Sequence, residues 1–118
     1  MTTNKKKTEL RLDERGQWAV RSSSSAICYL DLDSMRLLRD RGPDSSPMPY
    51  DGLWVPLVSV SSTSGSVGVI RVGDRHKFMT DPAGGVHDYR LWIPRTCTAI
   101  EPVEIDELPG RNAAPPSA

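Results

Sequence analysis

Apolar and polar residues alternate along most of this chain with a period of two, the spacing of strands with one buried face. Residues 8–13, TELRLD, put Leu10 and Leu12 on one face and Glu9, Arg11 and Asp13 on the other. Glu14-Arg15-Gly16 reads as a turn, with Gly16 free to take a positive φ, so this first strand is expected to pair with the next. Residues 17–33, QWAVRSSSSAICYLDLD, hold two runs rich in Trp, Val, Ile, Tyr and Leu around four serines, the pattern of a β-hairpin with a polar tip. Trp18 and Val20 share a face. The second run carries apolar groups on both faces, which predicts a strand with neighbours on either side.

Asp33-Ser34 can turn into a third strand over residues 35–39 or cap a short helix ending at Gly42; a strand is favoured, because the apolar run is too short to hold an isolated helix. Residues 41–52, RGPDSSPMPYDG, form a loop rich in proline and glycine. Strand pattern resumes over residues 53–60, LWVPLVSV, where Pro56 lacks a ladder donor and predicts an edge position or a bulge. The tip at residues 61–65 and the run at 66–72 are expected to close a second hairpin. Gly73-Asp74 turns into a short strand at 76–79, and a second loop at 81–85 leads to alternating Tyr89, Leu91 and Ile93. The last run, 96–105, breaks at Pro102. Seven or eight short strands joined by turns predict an all-β single domain, an antiparallel meander rolled into a barrel or a two-layer sandwich. Its bounds are read as 8–106, between a lysine-rich N-terminal segment 1–7 and a proline-rich tail 107–118, both too polar to bury enough surface to order themselves.

The tracts WAVRSSSSAICYLDLDSMRLLR, WVPLVSV and YRLWIPRTCTAIEPVE resemble small all-β proteins of actinobacteria and their phages, in which a serine-rich hairpin leads into a Leu-Asp-Leu-Asp turn. Those chains close with Trp-x-x-Ser/Thr-x-x-Val-x-x-Ile. Trp92, Thr96, Thr98 and Ile100 lie near that pattern, whereas Ile93-Pro94 and Cys97 depart from it. The resemblance implies a source and a small β fold, and it carries no activity with it.

Composition narrows the function classes. Fifteen basic and fifteen acidic residues cancel, so no net field draws the whole molecule to nucleic acid or anionic lipid, and an electrostatic partner must be met by a local patch. No apolar stretch is long enough to span a bilayer, and no apolar leader opens the chain, so the expectation is a soluble, cytoplasmic protein. Cys28 and Cys97 then read as buried free thiols in a reducing compartment, bridged only if their Cα atoms come within about 7 Å.

Candidate chemistry is thin. His76, His87, Asp74, Asp81 and Asp88 crowd one part of the chain, but no close His or Cys pair has metal-ligand spacing, even with Cys28 and Cys97 added. Surface polar residues on a turn and its flanking strands are the plainer reading. Asp31 and Asp33 likewise read as strand-end acids facing water. The serines sit at hairpin tips, where hydroxyls satisfy turn backbone, and no Gly-x-Ser-x-Gly elbow occurs. A hydrolase with a His/Asp site is therefore the least favoured class, and neither metal nor cofactor is expected. Two arginine-rich clusters, Arg36, Arg39 and Arg41, then Arg71, Arg75 and Lys77, together with Tyr29, Trp54, Tyr89 and Trp92, keep single-stranded nucleic-acid binding in view. The favoured class is a non-catalytic protein-binding or accessory role, with Tyr50 and Trp54 as anchors in and beside the proline-rich loop. The candidate binding residues are thus Tyr50, Trp54, Arg71, Arg75 and Trp92.

Overall fold

The computed structural model describes residues 7–82 and 89–110. They form nine strands and two short 3₁₀ turns: β1 (Glu9–Arg11), β2 (Gln17–Ser22), β3 (Ile27–Asp31), β4 (Arg36–Asp40), β5 (Val55–Ser62), β6 (Val69–Arg71), β7 (His76–Thr80), β8 (Arg90–Trp92) and β9 (Cys97–Pro102). The 3₁₀ turns cover Leu12–Glu14 and Ile105–Glu107. All ladders are antiparallel, in a seven-stranded sheet ordered β8-β7-β5-β4-β3-β2-β9 and a two-stranded sheet β1-β6. Single bridges, Lys7 to Ile100 and Ser61 to Val67, tie the small sheet to the large one on both sides. The result is a rolled two-layer sandwich whose layers do not join into a continuous barrel. Among the described residues no helix is long and apolar enough to cross a membrane.

The inward faces of both sheets meet in one core of Leu10, Leu30, Val60, Ile70, Phe78 and Ile100, all fully buried, with Cys28 and Cys97 among them. Alternation places them there: Cys28 and Leu30 turn inward from β3, and Val60 and Ser62 from the end of β5. β4 departs from simple alternation, because Leu37 enters the core while Leu38 is buried on the opposite face. Ala19, Tyr29 and Leu38 stand in one row across β2, β3 and β4. Residues 109 and 110 lie against the Leu38 end of this row: Trp54 Nε1 donates to the Pro109 carbonyl at 3.0 Å, and Gly110 lies so close to Leu38 and Trp54 that a side chain there would crowd them.

Several expectations need correction. The chain after Arg11 winds into a 3₁₀ turn, and Arg15 and Gly16, both at positive φ, send it away, so β1 pairs with β6 and not with β2. β2 is flanked by β3 and β9 instead. The second hairpin closes only at its tip, where the Ser62 N–H donates to the Ser66 carbonyl and the Gly68 N–H to the Val60 carbonyl around the Ser61–Val67 bridge; beyond Gly68, at positive φ, β6 leaves for β1, and β5 lies between β4 and β7. Leu53 and Trp54 precede β5, and Pro56 sits where the short β4 ladder ends, beside an irregularity between Leu57 and Ser59. Leu108 is buried, so residues 107–110 belong to the ordered body. The expected flexible segment lies outside the described residues save Lys7, whose ammonium pairs with Glu14 at 2.6 Å and lies over the Trp18 ring. Residues 111–118 of the expected tail are likewise outside the described residues.

Candidate binding site

The site begins with Arg39. It stands two residues from Leu37 on β4, so its side chain leaves the sheet on the core side, at the open rim. Its guanidinium Nη1 donates to both carboxylate oxygens of Asp51, each at 2.7 Å, and Nη2 donates to the Ser46 carbonyl. The pair is mostly buried, with side chains 11% and 17% exposed. Asp51 also accepts the Met48 N–H at 2.9 Å, and the Gly52 N–H donates to the Arg39 carbonyl. One ion pair therefore folds the 43–53 loop down onto β4. The serine tip of the first hairpin holds the loop's other end: Ser25 Oγ accepts the Asp44 N–H, and Gly42 approaches the Ser25 carbonyl so closely that no Cβ fits. Those serines are structural clasps, as turn hydroxyls commonly are.

Between the clamped loop and β8 lies a recess of about 170 Å³, its walls mainly Leu37, Tyr50, Leu53, Val55, Leu91 and Trp92. Beyond Arg39 and Trp92 a second, more polar recess of about 240 Å³ runs past Ser24, Ser45, Ile93 and Arg95. The Arg39 guanidinium lies 5.4 Å from the centre of the Trp92 ring and, with it, forms the ridge between the two. Tyr50, Leu53, Leu91 and Ile93 are 41% to 55% exposed around these openings, an apolar concentration with no role in the core.

The sequence-predicted site residues fall in three places. Tyr50 and Trp92 meet at the first recess. Trp54 is turned to the opposite task of holding the chain end through Pro109. Arg71 pairs with Glu9 at 2.9 Å and donates to Ser66, tying β6 to β1. Arg75 donates to the Pro94 carbonyl and, more weakly, to that of Ile93, bracing the segment after β8. Sequence reasoning placed Arg39 in a basic cluster and did not join it to Asp51, nor did it single out Leu91 as a wall of the site. The signal available was the acid at the end of a proline-rich loop facing an arginine inside a strand.

Nucleic-acid stacking on the indoles meets competition. The Trp92 ring stacks on Phe78 at 5.5 Å and carries Arg39, while Trp18 donates to the Arg15 carbonyl beneath Lys7.

His76 lies on a strand as expected but corrects the expectation of a surface residue, since it is 1% exposed. Its Nε2 accepts the Arg71 N–H at 3.0 Å, which assigns the ring proton to Nδ1 and leaves that nitrogen unable to serve as a base. Burial pushes its pKa below the ordinary 6.5, with nearby Asp74 opposing and Arg71 reinforcing that shift. Ser62 lies opposite His76 in the β5–β7 register, but its hydroxyl donates to Asp74 at 3.0 Å. Serine, histidine and aspartate thus share a neighbourhood without the relay that nucleophilic catalysis requires. His87 and Asp88 lie outside the described residues, and among the described residues no three His, Cys, Asp or Glu side chains cluster as metal ligands. Cys28 and Cys97 are free and flank β2 on either side, two strand spacings or about 10 Å apart, beyond disulfide reach. Burial raises both thiols, Cys97 to about 11, so neither is a ready nucleophile.

Fold and site together define a small all-β protein with a preformed apolar recess at one rim. No protein-family model, curated protein or solved structure matches the chain.

Proposed function

We propose that this protein works by binding another protein, without catalysis, and that the recess between the 43–53 loop and β8 is where the partner seats. One observation carries this reading: three large apolar side chains, Tyr50, Leu53 and Leu91, stay half-exposed around a cavity whose loop is pinned by a mostly buried ion pair. Leaving apolar groups in water is unfavourable, and pinning a loop open costs conformational freedom, so the arrangement fits a surface that is completed by a ligand. A cavity near 150 Å³ accommodates a benzene-sized group, so the recess suits one large side chain of a partner rather than a cofactor. A soluble, cytoplasmic accessory role, in an actinobacterial or phage setting, accords with the free thiols and with the sequence resemblance. Single-stranded nucleic acid is the weaker reading, because the indole rings and Arg71 are already engaged within the fold.

The test is selection of a randomised octapeptide library on the full chain, followed by binding of the recovered peptides to Leu91→Asp. Peptides that bind the wild type and lose at least about tenfold in affinity on Leu91→Asp support the reading. Absence of any peptide sensitive to that change overturns it.

A further inference from the structure

The recess has a direction and a charge, and both bear on what the partner looks like. Residues 90–95 run past both cavities: Leu91 and Trp92 wall the first, Ile93 and Arg95 the second. β8 also ends the seven-stranded sheet. A ligand that fills the first cavity and continues into the second must follow this segment along the end strand of the sheet, a course that suits an extended chain better than a helix about 10 Å across.

Charge separates the two ends of that path. Asp51 is consumed by Arg39 inside the wall. Arg75 spends its donors on the Ile93 and Pro94 carbonyls, and Arg95 is exposed at the edge of the second cavity; among the described residues neither has a carboxylate partner. Asp44 is the acid that lines the second cavity. Ser24 and Ser45 add hydroxyls beside Arg95. The charged side chains that line the two cavities are Arg39, Arg90 and Arg95 against Asp44 and Asp51, and Arg75 stands beside Pro94, so in a chain whose charges cancel overall this rim carries a small cationic surplus next to an apolar hole.

Resting on the protein-binding reading above, we infer that the partner segment is extended and acidic: one large apolar side chain fills the 170 Å³ recess, and a neighbouring aspartate or glutamate lies on Arg95 in the second cavity. Carboxylate on guanidinium supplies the polarity of the match and steers approach, while the apolar side chain supplies the hold.

The randomised octapeptide selection tests this directly. The recovered peptides are expected to combine one Leu, Ile, Phe, Tyr or Trp with Asp or Glu within two or three positions. A fluorescein-labelled peptide of that consensus should weaken severalfold between 50 and 300 mM NaCl and about tenfold on Arg95→Glu. The exposed Arg95 tolerates the exchange, which an unchanged melting temperature verifies. Charge reversal should in turn let Arg95→Glu select Lys- or Arg-bearing peptides. Recess-dependent peptides without acidic residues, or indifferent to Arg95→Glu, overturn the acidic assignment and leave protein binding standing. No peptide sensitive to Leu91→Asp overturns both, and displacement of the peptide by single-stranded oligothymidylate more strongly than by its unlabelled self turns the site toward nucleic acid.

Discussion

Two polar side chains on the inner side of this sandwich, His76 and Arg39, are used in opposite ways. His76, at the closed side, gives its ring nitrogen to the backbone of Arg71 and disappears among Phe78 and the core aliphatics. Arg39, at the open rim, reaches out of the sheet to hold a loop through Asp51 and Ser46, and large apolar side chains remain outside around it. The first polar group completes a core; the second builds a cavity. A buried polar residue therefore says little about function until its partners are known: backbone partners within the sheet point to structure, loop partners beside exposed apolar surface point to a site.

Changes on the closed side should cost the most. Phe78→Ala removes the largest fully buried side chain, also the stacking partner of Trp92, and is expected to lower stability by about 3–5 kcal/mol in urea titration. At the rim, Asp51→Asn leaves Arg39 mostly buried without its counter-charge and should cost about 2–3 kcal/mol, with new proteolytic cleavage in the 43–53 loop. The double change Arg39→Met with Asp51→Leu should cost less than Asp51→Asn alone, because no isolated charge is left. Should the double change cost more, the pair is more than a clamp. Gly42→Ala drives a methyl into the Ser25 carbonyl and should cost about 1–3 kcal/mol while loosening the same loop.

A pH titration sharpens the contrast further. The folded pKa of His76 is depressed below 6.5, so the unfolded chain binds more protons as the medium is acidified. Its contribution is fully present above pH 6.5 and declines as pH falls toward the folded value, before the carboxylates Glu14 and Asp33, which are held below their ordinary values, begin to titrate. His76→Gln, which retains an acceptor for Arg71, should flatten stability between pH 5 and 7. An unchanged slope would place the titrating group elsewhere.

The strand content and some inward faces were legible because a period of two records burial directly: Leu10 and Leu12, and Trp18 and Val20, share the core-facing side as the alternation predicted. Pairing was less legible. Which strand lies beside which depends on where the chain leaves a ladder, and at Arg15, Gly16, Gly65 and Gly68 that choice is made by positive φ angles which a turn motif signals without aiming. The end of the ordered body was hidden as well, since Leu108 is one apolar residue after two acids, and the residues that receive its neighbours Pro109 and Gly110, Trp54 and Leu38, are far away in sequence. For the site, aromatic residues were the right kind of marker, and Tyr50 and Trp92 do meet. Trp54 looked equivalent in sequence and is not, because only three-dimensional placement separates an indole that holds the chain end from one that walls a cavity.

Leu91→Asp separates a rim shaped for a ligand from one shaped for folding most directly when stability and peptide binding are read on the same sample. Leu91 is 52% exposed, so the unfolding midpoint should stay within about 0.5 kcal/mol of wild type while affinity for the selected octapeptides falls at least about tenfold. A large loss of stability, or binding that survives intact, would contradict a rim shaped for a ligand.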